Sequence, residues 1–196
     1  IADLSAPILQ PWAREVIAKK NAIAVSGKRV PSPIASCWPK GPTYFLLSPM
    51  TQPMYFIQGQ KEVVMIITSF NDVRHIHLTD KHSPNVKLSW YGESIGHYEG
   101  DTLVIDTTNL NGKTWLNEGG EIVSYAEHVV ERITPITQDK WNYTATVTDP
   151  VVYTKPWTIS IPLDKQSKFE LLEAACREEE HALPHLKAIK DAARKK

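Results

Sequence analysis

Three of the chain's seven histidines fall within the stretch VRHIHLTDKH, residues 73–82. His75 and His77 stand two apart among β-branched and aliphatic neighbours, and on a strand such residues share one face. Two imidazoles so placed suit a divalent metal ion, with a third donor from another strand. The same pair suits metal-free acid–base work, because the ordinary pKa of imidazole lies close to neutral pH. Parity leaves both faces of the strand open. The expected arrangement puts His75 and His77 inside, with His97 or His128 completing a polar floor, while Arg74, Ile76 and Leu78 pack outside and the Arg74 head reaches into water.

His97 in SIGHYEG, His128 in SYAEHVVERI and Asp106 in LVIDTT fall on neighbouring strand-like segments. A carboxylate that orients an imidazole is a device of general acid–base catalysis. The candidate catalytic set is therefore His75, His77, His97, His128 and Asp106. Residues 107–121, TTNLNGKTWLNEGGE, are polar and Gly-rich yet hold a tryptophan. Such a loop suits the rim of a ligand pocket, with Lys113 and Trp115 as substrate contacts. Tyr143 is a third candidate contact. The plainer alternatives are an Asp106 that satisfies the turn after it, a His128 paired with an acid such as Glu131, and a loop that packs its own tryptophan. No G-x-S-x-G elbow, P-loop, G-x-G-x-x-G or C-x-x-C occurs, which leaves proton transfer, metal-assisted chemistry or binding.

Strands must position these groups. MYFIQG, EVVMIITSF and VRHIHL follow one another with Gly59 and Asn71-Asp72 as turns. SIGHYEGDTLVIDTT turns at Glu99-Gly100-Asp101. SYAEHVVERITPI and KWNYTATVTD flank Thr137-Gln138-Asp139, and Trp141, Tyr143, Ala145 and Val147 alternate with polar residues. WTISIPL and KFELLEAA complete the set. About nine short strands joined by hairpin-sized turns indicate an antiparallel β-barrel or sandwich, and a single antiparallel β-barrel is the expected form. A helix is expected over residues 8–21, with Pro11 in its first turn and Trp12, Val16 and Ile17 on one stripe. The Pro/Gly-dense run 27–53 reads as an arm laid over the body. The whole chain, 1–196, is one domain: helix and arm over 1–52, barrel over 53–176, and a C-terminal helix over 177–196.

Lys+Arg and Asp+Glu each total 22, so the net charge is zero and the basic footprint of a nucleic-acid binder is absent. No apolar run approaches the roughly 20 residues of a transmembrane helix. There are two cysteines, Cys37 and Cys176; two buried thiols and one disulfide are both open readings.

The run SIGHYEGDTLVIDTTNLNGKTWL resembles the S-[IV]-G-x-W-E-G-D-T-L-V-V-D-T-x-G-F-N-x-K-T-W-L signature of an uncharacterised family of exported bacterial β-barrel proteins. EHVVERI, VTDPVVYTKPWT and LLEAACREE resemble its later segments, so the likeness runs from about Cys37 to Glu179. Asp106, Lys113, Trp115, His128, Glu131 and Arg132 match that pattern. His97 and Tyr98 depart from it, Tyr98 standing where the family has tryptophan, and His75 falls where the family varies. The resemblance implies a lipocalin-like barrel, a Cys37–Cys176 bridge, and a leader removed before Ile1, hence a periplasmic or secreted protein. The expected function is an enzyme acting on a small aromatic or sugar-derived substrate by lyase, isomerase or hydrolase chemistry. Histidines would serve as acid and base or hold a divalent metal. The alternative is a non-catalytic small-molecule carrier.

Overall fold

The computed structural model describes residues 5, 7–28, 37–44, 53–67, 72–116 and 120–168. Eight strands lie across one sheet in chain order: β1 (Met54–Gln58), β2 (Glu62–Ile67), β3 (Asp72–Leu78), β4 (Glu93–Glu99), β5 (Thr102–Thr108), β6 (His128–Thr137), β7 (Lys140–Thr148) and β8 (Trp157–Asp164). The sheet curls into a half-barrel, and one helix, α1 (Pro11–Val25), precedes it. β1 and β8 stand at the two ends of the strand order, and among the described residues no pairing joins them. The expected C-terminal helix lies outside the described residues, as does KFELLEAA beyond Lys168.

The inner face follows from alternation. Val63, Met65 and Ile67 of β2 are buried in phase, and so are Tyr143, Ala145 and Val147 of β7. With Ile76, Leu103, Ile105, Leu110, Val129 and Ile133 they form the main core. Burying each such aliphatic side chain stabilises the fold by about 1.5–3 kcal/mol relative to exposure. The β4–β5 hairpin turns at Gly100, whose φ of +60° an L side chain rarely adopts.

Every neighbouring pair is antiparallel except β3 and β4, which run parallel with Ile76 opposite Ser94 and Leu78 opposite Gly96. This corrects the purely antiparallel expectation. Parallel neighbours need a long crossover, and residues 79–92 supply one. Gly96 is required where the two strands meet, because an added Cβ would stand 2.9 Å from an Ile76 methyl.

α1 buries Ala13 and Ile17, one turn apart, in a second core with Leu9, Leu116, Val123, Val152 and Tyr153. Small Ala13 permits close approach to the chain around residue 152, where Gln10 N–H donates to the Val152 carbonyl at 2.8 Å. Trp12 does not join the buried stripe expected of it. Its ring is largely exposed and its indole N–H donates to the Val151 carbonyl at 2.8 Å.

Candidate functional site

Two polar assemblies occupy opposite faces of the sheet. On the inner face of β3, Arg74 is 1% exposed and surrounded by acceptors. Its Nε donates to Ser94 Oγ at 3.0 Å, Nη1 to Glu131 Oε1 at 2.9 Å, and Nη2 to Thr107 Oγ1 at 2.6 Å and to Glu131 Oε2. Tyr143 also donates its hydroxyl to Glu131 Oε1. Burial opposes the guanidinium charge, but Glu131 outweighs it and the Arg74 pKa is raised. Tyr143 is pushed well up by burial and then by the Glu131 charge, so its phenol stays protonated. A forked cation bonded to a forked carboxylate satisfies both groups, which makes their burial tolerable. The cluster ties β3, β4, β5, β6 and β7 together and has few groups left to offer a ligand.

This arrangement overturns the expected face of β3. Arg74 and Ile76 point inward, while His75 and His77 point into solvent. His75 Nδ1 pairs with Glu62 Oε2 at 2.9 Å across the β2–β3 pair. The physical reason is satisfaction of donors: the interior supplies Arg74 with a carboxylate and two hydroxyls, whereas exposed imidazoles need only water. Among the described residues no three His, Cys, Asp or Glu side chains are placed to hold a metal ion, so His75 and His77 find no third donor.

The outer face carries a different chain of groups. Asp106 of β5 sits out of phase with buried Ile105 and Thr107. Its Oδ1 faces His128 Nε2 at 3.0 Å and His82 Nε2 at 2.9 Å. His82 comes from the crossover, and its Nδ1 meets Glu93 Oε2 of β4 at 2.8 Å. Glu93 is anchored in turn by the Ser83 backbone N–H, at 3.2 Å to Oε1 and 3.0 Å to Oε2. The order is Glu93–His82–Asp106–His128, half-buried at the start and opening to solvent at His128.

A neutral imidazole has one N–H, yet His82 meets a carboxylate at each nitrogen, so only the doubly protonated ring satisfies both. Partial burial lowers its pKa, but hydrogen bonds to Asp106 and Glu93 and their charges outweigh this and raise it. Asp106 responds in the opposite sense: burial works to raise its pKa, and hydrogen bonds from His82 and His128 hold it below the usual carboxylate range. Glu93 is likewise lowered, against partial burial, by bonds from Ser83 and His82. With Asp106 ionised, His128 Nε2 is the donor of that pair, and in the neutral ring Nδ1 is then the lone-pair nitrogen. Among the described residues no group bonds that Nδ1.

The expected pairing of His128 with Asp106 is thus present, and the partner that sequence reasoning passed over is His82. It stands in the opening stretch, but period-two logic says nothing about a crossover residue. His97 does not join the group; it lies with Glu99, at 3.3 Å, which in turn bonds Arg132. Trp115 packs beneath the Lys20 ammonium of α1, 4.4 Å from the ring centre, while Lys113 is exposed. Tyr143 belongs to the inner cluster. Arg74 and Glu131 were missed as interior groups, although Glu131 falls in phase between Val129 and Ile133 and that parity was legible.

A mainly β half-barrel with an imidazole–carboxylate chain on its outer face is the class that fold and site define. Compared with known proteins, the chain matches no family model, no curated protein and no solved structure.

Proposed function

We propose that this protein is an enzyme that transfers a proton on a small organic substrate, aromatic or sugar-derived, by histidine acid–base chemistry of the lyase, isomerase or hydrolase kind. The observation that carries the reading is the convergence of two imidazoles on one oxygen of Asp106, with no group among the described residues bonded to the outer nitrogen of His128. His128 is the base, Asp106 fixes its tautomer, and the His82 cation keeps Asp106 ionised. The site therefore lies on the outer face, reached from solvent, rather than on an interior floor. The finer reading, carried by the signature resemblance, is a lipocalin-like, exported protein with a Cys37–Cys176 bridge. Cys37 is not a free thiol, and Cys176 lies outside the described residues.

A screen of aromatic and sugar-derived compounds for turnover, repeated with His128→Ala and Asp106→Asn, tests the proposal. Loss of about 10²–10⁴-fold in kcat with a folded variant is the expected result for removal of a general base. A compound bound by the wild type without turnover, and bound equally by both variants, would establish the carrier reading instead.

A further inference from the structure

Glu127 immediately precedes β6 and is 2% exposed, and among the described residues neither of its carboxylate oxygens has a partner in full hydrogen-bond geometry. The Thr43 hydroxyl is fully buried and, among the described residues, also without a partner in full hydrogen-bond geometry. The Thr43 hydroxyl approaches Glu127 and eases its ionisation by a hydrogen-bonding contact that falls short of full geometry, which leaves acceptor capacity on the carboxylate unused. The other groups acting on this carboxyl are Asp149 and Glu131, both acids. Each of those is already satisfied. Glu131 is held by Arg74 and Tyr143, and Asp149 by the Ser124 backbone N–H and hydroxyl and the Val151 and Val152 N–H groups. Tyr153, which feels the Glu127 charge, donates its hydroxyl to the Ile122 carbonyl. Among the described residues no cationic side chain is one of the groups that act on Glu127.

Buried polar groups are nearly always paired, so unpartnered ones mark a place where a small ligand, ion or water belongs. The acceptors here are Glu127 Oε1 and Oε2 and the Thr43 Oγ1 lone pairs, in a field made negative by Asp149 and Glu131. A primary ammonium group carries one positive charge and three N–H donors. We propose that Glu127 and Thr43 form a buried subsite for a small primary ammonium group, distinct from the outer histidine chain. In its absence a proton takes the cation's place: burial raises the Glu127 pKa to about 8, with Thr43 easing ionisation and Asp149 and Glu131 opposing it. Binding exchanges that proton for the cation, so R–NH₃⁺ and the carboxylic acid give the ammonium–carboxylate pair and one released H⁺.

Isothermal titration of the full chain with methylammonium chloride, in amine-free buffers of different ionisation enthalpy, tests this. Proton release should accompany binding at pH 6. Affinity should rise about fiftyfold between pH 6 and pH 8, because the ionised fraction grows from about one in a hundred to one in two. Glu127→Gln keeps the shape of the side chain and removes its charge. It should weaken binding at pH 8 by about tenfold or more and abolish the pH dependence. Thr43→Val should weaken it by a smaller factor. No methylammonium binding at millimolar concentration, equal binding by Glu127→Gln, or equal binding of tetramethylammonium, which has no N–H, would each overturn the proposal.

Discussion

Replacing Glu127 by Gln should make the protein more stable, and more so as the pH rises. The folded chain holds a proton on this carboxyl up to a pKa of about 8, against an ordinary value of 4.5. Between those two values the unfolded chain has released the proton and the folded chain has not. Unfolding then releases a proton, so stability falls with increasing pH across that window and is level on either side of it. Each pH unit costs about 1.4 kcal/mol, which sums to about 5 kcal/mol by pH 8. That is large beside the 5–15 kcal/mol, roughly, by which a domain is stable. Glutamine stays neutral in both states and removes the part of the dependence that Glu127 contributes. The assay is urea denaturation of both proteins from pH 4.5 to 8.5 in amine-free buffer, with cysteines kept in their native state. The difference between the two curves should be small at the acid end and grow by about 1.4 kcal/mol per pH unit. Parallel stability curves would show that Glu127 ionises alike in folded and unfolded chains, and would refute the buried, unpartnered reading.

Other outcomes follow from the two polar assemblies and the arm. Arg74→Ala should destabilise the fold by about 3–5 kcal/mol, since it strands the Glu131 carboxylate in the core; Arg74→Met with Glu131→Leu should cost much less, and urea denaturation of the single and double variants measures the difference. By nuclear magnetic resonance, the His82 ring should titrate above its ordinary 6.5, and Glu93→Gln or Asp106→Asn should each lower that value. Stability owed to the His82 cation is full below 6.5 and lost as pH rises through the raised value, a loss that Asp106→Asn should blunt. Mass spectrometry of the unreduced protein should show a mass two hydrogens below the dithiol, with Cys37 and Cys176 in one linked peptide pair.

Much of the sheet was legible because alternation is local. Tyr143, Ala145 and Val147 declare their face against Asn142, Thr144 and Thr146, and Glu99-Gly100-Asp101 declares its turn, whatever the rest of the chain does. The pairing of His128 with Asp106 was within reach for the same reason, since both lie out of phase with buried aliphatics on adjacent strands. The parallel join of β3 to β4 was not, because a crossover's path depends on what it packs against and not on its own pattern.

Residue types and period two alone established a mainly β chain, its strand faces up to a choice of sign, and a supply of imidazoles and carboxylates able to move protons. Only the tertiary structure decided the sign for β3. A guanidinium can be buried where partners from several strands saturate it, and Ser94, Thr107 and Glu131 reach Arg74 from β4, β5 and β6. Those partners lie 20, 33 and 57 residues away in the chain. The same holds for His82, which meets Glu93 and Asp106 only because the crossover folds back on β4 and β5. Local periodicity is set by backbone geometry, whereas satisfaction of a buried charge depends on groups that only the folded chain brings together.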